Sequence, residues 1–289
     1  MATFVLVPGG WKGAWAYEAV VPLLEGAGHD VHAMTLTGLG PEDDIATVAS
    51  ANLDTHADDV LRLLDRAQLT SVTLVGHSYG GMVISAAADR AGGRVSRMVH
   101  LDAYVPHDGE SCWSATNDYF RGVFAAGAAA TGYSVQPPGN RDPRRRPHPL
   151  ASFMQTIRLT GAVAQVPRRE FVYCSGWEDQ TPFGPLRDRL QADPDWQVHD
   201  LPTRHDAMNE APAAVAEILL GDHDHDHDHD HDHDHDHDHD HDSNRDSNRD
   251  SNREGEGGAD AFGLLGVVED EAEGVAVAGA DWGDAVADR

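Results

Sequence analysis

Val72-Thr73-Leu74-Val75-Gly76-His77-Ser78-Tyr79-Gly80-Gly81-Met82 is the stretch on which the reading of this chain turns. Four apolar or β-branched residues in a row suit a strand covered on both faces, as in a parallel sheet. A serine bracketed by Gly76 and Gly80 follows at once, and then a helical pattern from Gly81 to Arg90. Strand, sharp turn and helix around G-x-S-x-G form the setting in which a serine hydroxyl is lifted off the end of a sheet as a nucleophile. The turn puts the serine in a strained backbone conformation, and small neighbours let strand and helix approach.

Working outward, apolar runs recur at Thr3 to Val7, Asp30 to Leu36, Ser71 to Val75, Val95 to Leu101, Glu170 to Cys174 and Trp196 to Leu201. Helical periodicity fills the gaps at Ala14 to Glu25, Thr55 to Arg66, Gly81 to Arg90, Pro185 to Gln191 and Ala211 to Leu220. Strands alternating with helices predict an α/β fold, a mostly parallel sheet flanked by helices on both faces. Ala103 to Arg168 breaks the rhythm and is rich in aromatic residues, so it is expected to form a cap over the sheet. Its basic run, Arg141 and Arg144 to Arg146, lies among prolines and reads as a solvated loop.

A serine needs a base to take its proton and a carboxylate to orient that base, here in the order Ser, Asp/Glu, His. His205, between the last strand and the last helix, is the expected base. His29 and His32 flank an early strand, His56 opens an expected surface helix, His77 adjoins the serine, and His107 and His148 lie in the cap. Asp179, after the strand ending at Cys174, is the expected acid, with Glu178 beside it and Asp102 at the end of the preceding strand as rivals. An oxyanion needs amide donors: one from Tyr79, which follows the nucleophile, and one from Gly10 in Pro8-Gly9-Gly10-Trp11 after the first strand. Trp11 is placed against the substrate.

Together, Phe4 to Gly10, Gly13-Ala14-Trp15, Leu36 to Gly40, Val75 to Met82 and His205-Asp206-Ala207-Met208 resemble the plant methylesterase and hydroxynitrile lyase family and its bacterial carboxylesterase relatives, over about residues 3 to 220. The resemblance implies an α/β-hydrolase fold with a small helical cap, the triad Ser78, Asp179 and His205, and oxyanion amides at Gly10 and Tyr79. Acyl transfer by such a triad requires no metal and no organic cofactor. Pro8 departs from it, since a histidine usually precedes the glycine there. Gly9 and Asp206 stand where the lyases of the family carry a threonine and a lysine, and an anionic Asp206 would repel cyanide, which favours ester cleavage.

Composition bounds the remainder. The 289 residues carry a formal charge of −28, of which about −19 falls after Leu220, with 23 acidic and 4 basic residues from Gly221 onward. The acidic balance argues against nucleic acid and anionic membrane surfaces as partners and for a small-molecule ester. Two cysteines exclude a disulfide framework, and no apolar run reaches the roughly 18 residues of a membrane span, so a cytoplasmic protein is expected. Residues 1–220 are assigned to the catalytic domain and 221–289 to a disordered acidic tail. That tail opens with ten His-Asp dipeptides, His223 to Asp242, whose imidazoles and carboxylates could bind divalent cations weakly.

Overall fold

The computed structural model describes residues 1–139, 142–177 and 181–221. The tail and its His-Asp repeat lie outside the described residues, apart from Gly221, as do Arg141, Glu178 and Asp179.

Six strands form one sheet: β1 (Thr3–Val7), β2 (Asp30–Ala33), β3 (Val72–His77), β4 (Val95–Leu101), β7 (Arg168–Cys174) and β8 (Gln197–Leu201). Their order is β2-β1-β3-β4-β7-β8 and every pairing is parallel. The short strands β5 (Ser134–Val135) and β6 (His148–Pro149) pair antiparallel in a separate two-stranded sheet. Successive side chains of a strand face opposite ways, so Val5, Val7 and Leu74 enter one core layer and Phe4, Leu6 and Val75 the other. The first layer packs on the helices Leu53–Arg66 and Gly80–Arg90, the second on Tyr17, Leu24, Val215 and Leu219.

The segment expected as one helix from Ala14 to Glu25 is a 3₁₀ turn, Ala14–Tyr17, followed by a short helix, Val21–Gly26. Pro22 has no N–H for a continuous helical ladder but is tolerated in a first turn, so the helix restarts there. Between β4 and β7 the chain leaves the sheet as the cap, built from the helices Cys112–Ala115, Asp118–Ala128 and Leu150–Met154 and the β5–β6 pair. Asp89 ties its return limb to the body by accepting the amides of Thr160 (2.7 Å) and Val163 (2.9 Å).

The sheet's far end holds a buried ion cluster. Arg97 donates to both oxygens of Glu170 (2.5 and 2.8 Å) and to the carbonyls of Leu219 (2.6 Å) and Ile218 (3.0 Å), fastening the last helix to the sheet. Burial alone would raise the Glu170 pKa, but His199, Arg97 and Arg168 outweigh it and bring it to about 2. A carboxylate held below its unfolded value, near 4.3, stabilises the fold above that pH and loses its contribution as pH falls through the folded value. Glu170→Gln is therefore expected to lower unfolding free energy at pH 7 by about 3–5 kcal/mol, because it strands Arg97. Urea titrations at pH 7 and pH 3 check this, and the deficit should shrink at the lower pH.

Candidate active site

Three neighbouring strands end in the same way. Trp11 after β1, Ser78 after β3 and Asp102 after β4 have φ of 64°, 53° and 44°, left-handed values that non-glycine residues rarely take. Such strain costs of order 1–3 kcal/mol per residue and persists only where surroundings hold it. It turns each chain end sharply at the carboxyl edge of the sheet, where open α/β sheets place their ligands.

Ser78 is half-buried, its amide donating to the Leu101 carbonyl (3.3 Å) and its carbonyl accepting from Tyr104 (3.2 Å). A Cβ at Gly76 would lie 2.6 Å from the Gly80 carbonyl oxygen, so only glycine lets strand and helix close around the serine. A Cβ at Gly9 would lie 2.9 Å from the Ser78 Cβ, which sets the loop after β1 directly against Ser78. The amides of Gly10 and Tyr79 donate to no acceptor among the described residues, as oxyanion donors must be free to do.

His205 follows β8 as expected. Its Nδ1 donates to Oδ2 of Asp102 at 2.7 Å, which leaves the imidazole lone pair on Nε2. Asp102 is fully buried and also accepts from the Cys174 amide (3.1 Å) and the Trp177 indole (3.0 Å). Burial pushes its carboxyl pKa up and these two donors oppose that, while three converging N–H groups match the needs of a carboxylate. The rival at Asp102 therefore has the observed contact, and the expected acid, Asp179, lies outside the described residues.

Around the imidazole stand Trp177 (ring centroids 4.6 Å apart), Phe183 (6.1 Å) and His77 (4.5 Å). His77, set aside in the sequence as a mere neighbour of the serine, donates through Nε2 to the His205 carbonyl (2.8 Å) and so fixes the backbone of His205. Strand alternation is the signal that could have found it, since His77 must face away from Ser78. His56, expected on a surface helix, is fully buried. Its Nε2 donates to the Thr37 carbonyl (2.8 Å), so its Nδ1 accepts from the Tyr79 hydroxyl (2.8 Å).

The ring of Trp11, expected against substrate, packs among Phe124, His148 and Phe153 of the cap. Arg144 pairs with Glu18 and Asp142 on the surface, but Arg145 and Arg146 of the same run are half-buried and the Arg145 cation also lowers the His205 pKa, so the run is not simply a solvated loop.

Lys12, buried from the same early loop, pairs with Asp206 at 2.7 Å. Burial would raise the Asp206 carboxyl, and the Lys12 ammonium more than reverses this. The anion invoked against cyanide is thus neutralised, and an ammonium reaches the His205 loop from another element. Burial, then Lys12, draws the His205 pKa down to about 3, below the ordinary value near 6.5. Removing Lys12 deletes a repelling cation and uncovers Asp206, and both changes favour the imidazolium. In Lys12→Met the acid limb of kcat/KM is expected to move to higher pH than in the parent, read from a pH–rate profile between pH 4 and 8.

Among the described residues no group of His, Cys, Asp and Glu could hold a metal ion, and no helix is long and apolar enough to cross a membrane. Cys112 and Cys174 are buried and unpaired.

Comparison with known proteins finds relatives in both sequence and fold. Residues 2–132 match the family model described as alpha/beta hydrolase fold. A carbendazim hydrolyzing esterase of Nocardioides sp. (strain SG-4G) is 35% identical over 240 residues, spanning 76% of this chain and 98% of that protein. Methylesterase 2 of Arabidopsis thaliana is 33% identical over 104 residues, 36% of this chain and 40% of the relative. Among solved structures, an extracellular α/β-hydrolase from a Paenibacillus species superposes with a TM-score of 0.63 at 20% identity, covering 76% of this chain and 98% of that one.

Proposed function

The chain belongs to the α/β-hydrolase family, and on that footing we propose that it is a serine carboxylesterase cleaving small, largely apolar esters through an acyl-enzyme on Ser78. Ester hydrolysis is the activity named for relatives that match it. The single observation that carries the mechanism is the Asp102–His205 contact at 2.7 Å, taken with the left-handed turn at Ser78 on the neighbouring strand end.

In this reading the Nε2 lone pair of His205 takes the Ser78 proton as Oγ attacks the ester carbonyl, and the charge moving onto the carbonyl oxygen is met by the amides of Gly10 and Tyr79. The imidazolium returns its proton to the departing alkoxide. A water molecule, deprotonated by the same imidazole, then releases the acid and restores the serine. Asp102 holds the imidazole in the Nδ1–H tautomer throughout, with Asp179 as the second candidate for that role. Trp177 and Phe183 beside His205, with Phe120 packed on Trp177 at 6.1 Å, give an apolar wall that suits an aryl or alkyl ester over a charged one.

Steady-state hydrolysis of a p-nitrophenyl ester series by the full chain, run beside Ser78→Ala and a mandelonitrile cleavage assay, tests the proposal. Ester turnover that depends on Ser78 supports it. Cyanide release without ester turnover would make the lyase chemistry of the resembling family the correct reading.

A further inference from the structure

We propose that His148, contributed by the cap, is a positioning residue for the oxyanion loop: it accepts the amide of Trp11 and thereby fixes the turn in which Gly10 presents its N–H. The inference rests on the serine-esterase reading above.

The loop needs such support. Pro8 brings no polar side chain to it, and Trp11 sits at φ 64°, a conformation that tryptophan does not adopt unaided. All three polar groups of Trp11 are taken up by the cap. Its amide donates to His148 Nδ1 (3.2 Å), its indole Nε1 donates to the Val135 carbonyl (2.8 Å), and its carbonyl accepts from the Arg146 amide (3.0 Å). Across the turn, Lys12 N–H donates to the Gly9 carbonyl (3.4 Å). That carbonyl shares a peptide plane with the Gly10 N–H, so the plane's far side points out of the turn. Holding Trp11 therefore holds the direction of the Gly10 donor.

His148 is built to bear this. It is fully buried, stacked on Phe153 with centroids 4.1 Å apart and planes 11° apart, and set edge-on to Tyr79 at 4.8 Å. A backbone amide can donate only to a lone pair, so Nδ1 is unprotonated and Nε2 carries the hydrogen. That hydrogen goes to Ser152 Oγ (2.9 Å), which donates onward to the Pro149 carbonyl (2.8 Å). Burial, and then neighbouring His56, keep the ring neutral. Tyr79, owner of the other oxyanion amide, leans on the same imidazole, so one cap histidine braces both halves of the hole.

The test separates an acceptor at the δ position from mere filling of space. Asn places its oxygen near the site of Nδ1, Gln places it at the ε position, and Leu offers none. In full-length protein, His148→Leu is expected to lower kcat for a p-nitrophenyl ester by about 10- to 100-fold. KM should change little, and the inhibition constant of an aryl trifluoromethyl ketone, whose serine adduct carries an oxyanion, should weaken in parallel. His148→Asn should recover most of both. If His148→Leu fails to fold, the contrast moves to Asn active against Gln impaired, with melting curves confirming that both are folded. Equal kcat in a folded His148→Leu and the parent, or equal losses in Asn and Gln, would overturn the proposal. Ser78→Ala runs alongside: ester turnover that survives it brings down the serine reading itself, whereas Ser78-dependent turnover indifferent to His148 brings down only this inference.

Discussion

Replacing Ser78 by alanine is expected to reduce kcat on a short-chain aryl ester by roughly 10⁵- to 10⁶-fold and to leave the protein folded. The size follows from the mechanism, because without Oγ there is no acyl-enzyme, and only weak general-base or oxyanion assistance to water remains. The fold should tolerate the change. Ser78 is held through its backbone, by Leu101 and Tyr104, and the side chain is half-exposed. Alanine must still accept φ 53°, a penalty the serine already bears. Equal circular dichroism and melting midpoints with collapsed turnover are the expected pair of observations, and a drop of less than about tenfold would move the nucleophile elsewhere.

The second large effect concerns the carboxylate. Asp102→Asn is expected to lower kcat by about 10⁴-fold, because an amide NH₂ facing Nδ1 selects the tautomer with its hydrogen on Nε2, which cannot take the serine proton. Asp179→Asn, measured beside it, is expected to stay within about tenfold of the parent. The reverse ranking would return the orienting role to Asp179, where chain order and family resemblance put it. Both variants must be compared at equal folded fraction, since Asp102 also receives the Cys174 amide and the Trp177 indole and its loss disturbs three partners.

Much of this was legible in the sequence, for reasons that differ from element to element. The strand Val72–His77 and the helix after it carry their own signals: a doubly covered apolar run, then a helix opened by two glycines. The position of His205 could be read because chain order leaves one histidine between the last strand and the last helix. The contact to Asp102 was legible only as a rival to Asp179. It depends on β4 lying beside β3, which brings Ser78 and Asp102 to two adjacent strand ends, and adjacency in a parallel sheet is not written in local pattern. His148 was invisible for a related reason, since 137 residues separate it from the amide it holds. The supposed surface helix misled about His56 because amphipathic spacing says which face is buried, and the buried face here includes a histidine satisfied at both nitrogens.

The electrostatic case against cyanide chemistry also changes once the chain is folded. Asp206 alone would disfavour a departing anion, but paired with Lys12 it presents little net charge. What then favours ester cleavage is the esterase relative matched over 98% of its own length, with the mandelonitrile assay as the direct check.

The measurement closest to the central claim is reaction of the full-length protein with a fluorophosphonate, followed by peptide mapping and residual ester activity. One phosphonyl group on the peptide carrying Ser78, with esterase activity falling in step with labelling, is the predicted result. Ester turnover that persists after complete labelling, or a label mapped to any other residue, would contradict it.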